Sequence, residues 1–180
     1  MDPIQTLKEQ IDLLAPHLWS GEVVLKRGDI LISPGALDRN TYYVDEGVVR
    51  IFYQTETEEH TIRFAYEGSI FASLFSVLGN SPTSFYYQAL RKTRLRKIGF
   101  QDLREFMASR EAFKDWWTLI LEQLVLDQME REMDLITESP RERYERVLDR
   151  SPRLFQEVPH KYIASYLRMT PETLSRLKNS

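Results

Sequence analysis

The sequence predicts an α+β chain: an N-terminal helix and an antiparallel β-roll, a long helix that pairs with a second copy, and a C-terminal helical domain ending in a helix-turn-helix. Three observations predict this order. Apolar residues recur at three and four positions from Ile4 through Leu7 and Ile11 to Leu14, as on one face of a helix. From about Trp19 to Ile98 the texture changes to short runs rich in β-branched and aromatic residues. After Gly99 the helical period returns and persists to the end.

The first helix ends near Pro16 and is expected to cover one end of the β-roll. Turn signals then stand at Gly28-Asp29, Ser33-Pro34-Gly35, Glu46-Gly47, Glu67-Gly68 and Gly79-Asn80-Ser81-Pro82. Short strands at that spacing read as a barrel or sandwich. Asp102 to Ser109 forms a short helix, and a long one runs from about Glu111 to Thr137. On the long helix Leu119, Leu126, Met129, Met133 and Ile136 mark a stripe with a period near that of a coiled coil. One side of such a helix would lie on the barrel and the other on a partner's equivalent helix, giving a homodimer. The other reading is that the barrel alone buries the stripe. Ser139-Pro140 with Glu142 makes a capping-box start for a helix from Pro140 to Arg150.

The most informative stretch is Val158 to Ser180. Ile163, Ala164 and Leu167 share a face of one short helix, and Leu174 and Leu177 share a face of the next. Thr170 before Pro171 caps and starts the second helix. A small residue at Ala164 suits a close helix crossing. Outward, the second helix presents Glu172, Thr173, Ser175 and Arg176, followed by Lys178 and Asn179. Arg pairs with guanine O6 and N7, Glu accepts from cytosine N4, and Ser or Thr serves base edges or phosphates. Base contacts are therefore expected from Glu172, Thr173, Ser175 and Arg176. Lys161, Arg168, Thr170 and Lys178 are the expected phosphate contacts. The bland reading is a helical hairpin with a solvated polar face. The turn places Arg168 where glycine is common, at a cost of roughly 1–2 kcal/mol. Either the turn is adjusted or Arg168 is kept for a phosphate.

Charge is divided in the same way. Residues 1–138 hold 15 Lys and Arg against 22 Asp and Glu, a net of −7, whereas residues 139–180 hold 9 against 5, a net of +4. A basic tail on an acidic body suits a DNA reader whose other surfaces should avoid DNA. This sets the domain boundary: 1–138 is an effector domain with the dimer helix, and 139–180 is the DNA-binding domain. A second basic cluster, Arg91, Lys92, Arg94, Arg96 and Lys97, reads as the solvated face of a strand. With no cysteine, disulfides, thiolate metal sites and thiol redox sensing are excluded. His17, His60 and His160 stand apart in sequence, so neither a metal-dependent cupin enzyme nor a haem site is expected. No catalytic or metal-binding set is recognisable, and the chain does not read as an enzyme. No segment approaches the roughly 18 apolar residues of a membrane span, and MDPIQTLKEQ lacks a signal peptide's regions, so the expected location is the cytoplasm.

The order of elements resembles the Crp/Fnr family of bacterial transcription regulators, in which a cyclic-nucleotide-binding-like domain controls a DNA-reading domain. Lys26-Arg27-Gly28-Asp29-Ile30-Leu31 is similar to the family's first glycine turn, and Tyr42-Tyr43-Val44-Asp45-Glu46-Gly47-Val48-Val49-Arg50 to the next strand and turn. Ile163-Ala164-Ser165-Tyr166-Leu167 and Met169-Thr170-Pro171-Glu172-Thr173-Leu174-Ser175-Arg176 are similar to its reader. The Glu-x-x-Ser-Arg at Glu172, Ser175 and Arg176 matches the Fnr-like branch. The chain stops at Asn179-Ser180, which the resemblance makes a short, wingless reader.

The resemblance implies a homodimer on double-stranded DNA, with RNA polymerase and a small-molecule effector as further partners. Family members that bind cyclic nucleotides carry a Glu for the ribose and an Arg for the phosphate. Here Ser73 and Thr83 hold those places and Ser84 alone matches, so cyclic AMP is not the expected effector and no cofactor is assigned. Phe71, Ser73, Thr83, Ser84 and Phe85 are the candidate effector pocket, either an apolar cavity or one filled by its own side chains. The alternative function is a ligand-binding or protein-interaction module with a vestigial reader.

Overall fold

The computed structural model describes residues 2–179; Ser180, the last residue of the expected reader, lies outside them. The chain runs α1 (Pro3–Leu14), a 3-10 turn (Pro16–Leu18), β1 (Gly21–Leu25), β2 (Ile30–Ile32), β3 (Asn40–Glu46), β4 (Val48–Gln54), β5 (Glu59–Tyr66), β6 (Ile70–Ala72), α2 (Leu74–Val77), β7 (Tyr86–Ala89), β8 (Thr93–Gly99), α3 (Phe100–Ala108), α4 (Glu111–Ile136), α5 (Pro140–Arg150), α6 (Pro152–Glu157), α7 (His160–Tyr166) and α8 (Pro171–Lys178). It divides into two compact units. One comprises residues 1–51 and 64–123; the other comprises 52–63 and 124–180. The charge boundary at Glu138 lies inside the second unit.

The strands form two four-stranded sheets, in the orders β1-β8-β3-β6 and β2-β7-β4-β5, and belong to the first unit except for the tip of the β4–β5 hairpin, residues 52–63. The pairings of β1 with β8, β8 with β3, β3 with β6 and β2 with β7 are antiparallel. The two sheets enclose Leu25, Val44, Val49, Ala65, Tyr87 and Leu95. Gly47, between β3 and β4, has φ 102°, and a Cβ there would run into the Lys92 carbonyl and Thr93. This turn therefore needs glycine for both its backbone and its space.

The first helix buries Leu7 and Ile11 as its periodicity requires, but Leu14 is exposed and Thr6 is buried instead. Leu7 and Ile11 pack with Ile98, Leu103, Met107 and Phe113 in a second cluster. Arg96 in the β8 basic run is paired rather than free. It donates to Asp45 through Nε and Nη2 at 2.9 Å and to Asp12 through Nη1 at 2.7 Å, with its guanidinium 4.4 Å from the Trp19 ring centre.

One sequence expectation needs correction. The helix expected from Asp102 begins at Phe100, because the strand β8 leads directly into it at Gly99. Between α5 and α7 stands a further short helix, α6, whose Pro152 occupies a first helical position where no N–H is needed.

In the second unit, α8 packs on α5 and α7, and α6 packs on both α5 and α7. Phe52, Val147, Leu154, Val158, Ile163, Ala164, Leu167 and Leu174 are its buried apolar residues among the described residues. The last half of α4 belongs here and behaves differently from its apolar pattern. Its buried residues are the charged Arg131 and Asp134, whereas the stripe residues Leu126, Met129, Met133 and Ile136 are exposed. Leu119, in the first unit, is exposed as well.

Candidate nucleic-acid interface

The helix-turn-helix is assembled from its turn outward. At the end of α7 the Arg168 N–H donates to the Ser165 carbonyl at 3.2 Å, and the Met169 N–H donates to the Ala164 carbonyl at 3.0 Å. Arg168 has φ 51°. This is a Schellman ending with arginine at the left-handed position. The turn thus keeps the geometry that glycine would give and is not adjusted. The Arg168 carbonyl accepts from Nη2 of Arg143 at 3.3 Å, while Nη1 of Arg143 donates to the Thr137 carbonyl at 2.5 Å. Arg143, on α5, is buried and ties the turn to the end of α4.

Helix α8 begins as expected. The Thr170 hydroxyl accepts from the Thr173 N–H at 3.2 Å, satisfying one of the free donors of the first turn. The Thr173 hydroxyl lies 3.2 Å from that of Thr170, so both threonines serve the cap. Leu174 is fully buried and fixes the rotation of the helix.

That rotation leaves Glu172, Ser175, Arg176 and Asn179 exposed, and they line one open groove together with Pro171 and His160. Three of the four expected base-contact residues are therefore brought together. Thr173 is half-buried and not among the lining residues. His160, the first residue of α7, is a groove residue that the sequence reading did not single out; an isolated His gives no signal until the helix crossing places it. Lys161, Arg168, Thr170 and Lys178 are all exposed, and none of them lines the groove. The Lys161 ammonium lies 4.7 Å from the Tyr162 ring centre. The Glu172 carboxyl is held below its ordinary range by its own backbone N–H and by the Thr170 hydroxyl, with the Arg176 charge adding to both. It is an acceptor at neutral pH, as pairing with cytosine N4 requires.

In the first unit, Ser73 and Thr83 are buried and Ser84 is exposed. The Ser73 hydroxyl lies 3.0 Å from that of Ser76, and the Thr83 hydroxyl accepts from the Phe85 N–H at 3.1 Å. The Tyr87 hydroxyl donates to the Ala72 carbonyl at 3.5 Å, and burial pushes its pKa up. The rings of Tyr42, Phe71 and Tyr87 form a stacked series at 5.3 and 6.0 Å. Tyr42 in turn donates to Asp38 at 2.7 Å. Ser73 and Thr83, the residues expected in the ribose and phosphate places, carry no charge and spend their hydroxyls on protein partners.

Among the described residues, no group of three or more His, Cys, Asp or Glu could hold a metal ion, and no helix is long and apolar enough to cross a membrane.

Residues 22–110 match the family model described as "Cyclic nucleotide-binding domain". Among curated proteins, no sequence matches the chain. Among solved structures, it is similar to a mutant of CooA from Carboxydothermus hydrogenoformans, with 21% identity, 88% of this chain and 74% of that one covered, and a TM-score of 0.71. It is also similar to a transcriptional regulator of the CRP/FNR family from Thermus thermophilus, with 19% identity, coverages of 88% and 84%, and a TM-score of 0.64. A third is CLP of Xanthomonas campestris, described as a c-di-GMP responsive global regulator, with 13% identity, coverages of 97% and 90%, and a TM-score of 0.67.

Proposed function

We propose, for a chain that has the Crp/Fnr fold and carries a domain of the cyclic nucleotide-binding family, that it is a DNA-binding transcription regulator reading a near-palindromic operator as a homodimer. The observation that carries this reading is the groove on α8. Glu172, Ser175, Arg176 and Asn179 stand exposed together on a capped helix whose opposite face is buried. Arg176 and Glu172 would read base edges, and Lys161, Arg168, Thr170 and Lys178 would hold phosphates. The acidic excess of residues 1–138 would keep the rest of the chain off DNA.

The exposed stripe Leu119, Leu126, Met129, Met133 and Ile136 supports the dimer. Five large apolar side chains at coiled-coil spacing are what a second copy's equivalent helix would cover. Two readers so joined would enter successive major grooves about 34 Å apart. Regulation would not pass through cyclic AMP, because Ser73 and Thr83 offer no carboxylate for a ribose and no guanidinium for a phosphate. The activity is binding, not catalysis, and its place is the cytoplasm.

The test is selection of bound sequences from random duplex DNA at two salt concentrations. An inverted repeat with spaced half-sites is the expected result. Weak, salt-sensitive binding without enrichment would instead favour a protein-interaction module with a vestigial reader.

A further inference from the structure

The hairpin tip, residues 52–63, lies in the same compact unit as the reader. Ser165 on α7 joins the two. Its hydroxyl donates to the Glu59 carbonyl at 2.9 Å and accepts from the Thr61 N–H at 3.0 Å. One side chain thus meets both a carbonyl and an N–H on the same strand, two residues apart, as an adjoining strand would.

Arg131 on α4 closes the same junction from another side. Its Nη2 donates to the Tyr166 carbonyl at 2.7 Å and lies 3.5 Å from the Thr61 carbonyl. Its guanidinium carbon stands 3.7 Å from the centre of the Tyr166 ring. Ser165 and Tyr166 are adjacent, so the last turn of α7 is gripped by a strand backbone and by a buried cation at once.

These contacts leave the reading face of α8 open, because Glu172, Ser175 and Arg176 are exposed. They cannot act by covering it. They act on orientation: Ser165 and Tyr166 stand just before the Schellman turn that leads into α8, and a fixed α7 fixes the direction in which α8 points.

We propose that Ser165, with Arg131, clips the reader to the β4–β5 hairpin and thereby sets the half-site spacing that the protein selects. This rests on the two-reader function proposed above. Two stiffly held readers discriminate between spacers, whereas readers free to pivot engage half-sites over a range of spacers. Ser165 and Arg131 are positioning residues and make no contact with DNA.

The experiment uses the full chain as wild type, Ser165→Ala, Ser165→Thr and Arg131→Met. Affinity is measured for the selected operator, for versions with the spacer one or two base pairs longer or shorter, and for a single half-site. Hydrogen exchange at the Thr61 amide is followed in parallel. Wild type should prefer its own spacing by roughly tenfold, the size of one mismatched contact. Ser165→Ala and Arg131→Met should flatten that preference to about threefold or less with half-site affinity unchanged, as a loss of orientation rather than of contacts would. Ser165→Thr, which keeps the hydroxyl, should restore the preference. Thr61 exchange should be fast in Ser165→Ala and slow in wild type. A Ser165→Ala protein that keeps the wild-type spacing preference overturns the clip, as does an equal loss on every spacer and on the half-site. If wild type selects no spaced repeat at all, the regulator reading itself falls and takes the spacing claim with it.

Discussion

Arg150 grips Asp134 with both terminal nitrogens, Nη1 to Oδ1 at 3.2 Å and Nη2 to Oδ2 at 2.5 Å, and Asp134 has no exposure to solvent. Arg146 stands 3.5 Å from the same carboxylate. The pair joins α4 to α5 and holds the Arg150 pKa above its ordinary value through the Asp134 hydrogen bond. Removing one partner of a buried pair leaves an uncompensated charge. Arg150→Met should therefore cost about 3 kcal/mol, near the low end for such pairs because Arg146 stays. Denaturant unfolding of the full chain measures it, and an effect under half that size would show the pair to be dispensable.

Arg176→Ala should weaken operator binding by about 1–3 kcal/mol and relax preference at one base pair. Lys178→Ala should weaken all sequences alike and lower the salt slope by about one. Competition titrations on cognate and scrambled duplexes separate the two. Equal losses on both duplexes for Arg176→Ala would remove it from base readout.

Arg168→Gly tests why an arginine sits in a left-handed turn. Its φ of 51° strains a residue with a Cβ, so glycine should stabilise the fold by up to about 1 kcal/mol. If the side chain serves a phosphate, DNA affinity should fall while the melting temperature rises. A rise in both would leave the arginine without a role on DNA.

Leu126→Asp and Met129→Asp, at 59% and 56% exposure, should change the stability of an isolated protomer little. In a dimer joined along α4 they bury an unpaired charge. Sedimentation should therefore show a monomer, and a variant that still dimerises would move the interface elsewhere.

Asp12 gives a pH signature. Burial raises its pKa, but hydrogen bonds from Lys8, Trp19 and Arg96, with the Arg96 charge, outweigh it and leave a net lowering from the ordinary 3.8. A depressed carboxylate contributes stability that is fully present above its ordinary pKa and is lost as pH falls through the lowered one. Asp12→Asn should melt below wild type at neutral pH, with the two curves converging as the medium is acidified below that ordinary value. A gap that persists in acid would point to packing instead of charge.

The exposed stripe on α4 shows how periodicity can leave part of a helix unread. Periodicity marked Leu119 to Ile136 as one face, and that face is exposed in the single chain. The opposite face of the second half was invisible to the same argument, because what it buries is Arg131 and Asp134. Charged residues on a helix read as solvated unless their partners are known, and those partners include Tyr166 and Arg150. His160 was missed for a related reason: its place beside Glu172 and Arg176 depends on how α7 crosses α8. Arg168 was legible, since the Schellman turn is local and its position follows from the helix lengths around it.

The sequence by itself determined where the helices α5 and α8 begin and which faces of α7 and α8 are buried. Caps at Ser139 and Thr170 act over three residues, and the burial of Ile163, Ala164, Leu167 and Leu174 follows from spacing within two short helices. Tertiary structure alone decided what holds the reader. Ser165 meets Thr61 across a sequence separation of 104 residues, and Arg131 meets Tyr166 across 35. In each pair at least one partner is a backbone group that every residue possesses. Such contacts leave no mark in residue type, so only the fold that brings the strand and the helices together can reveal them.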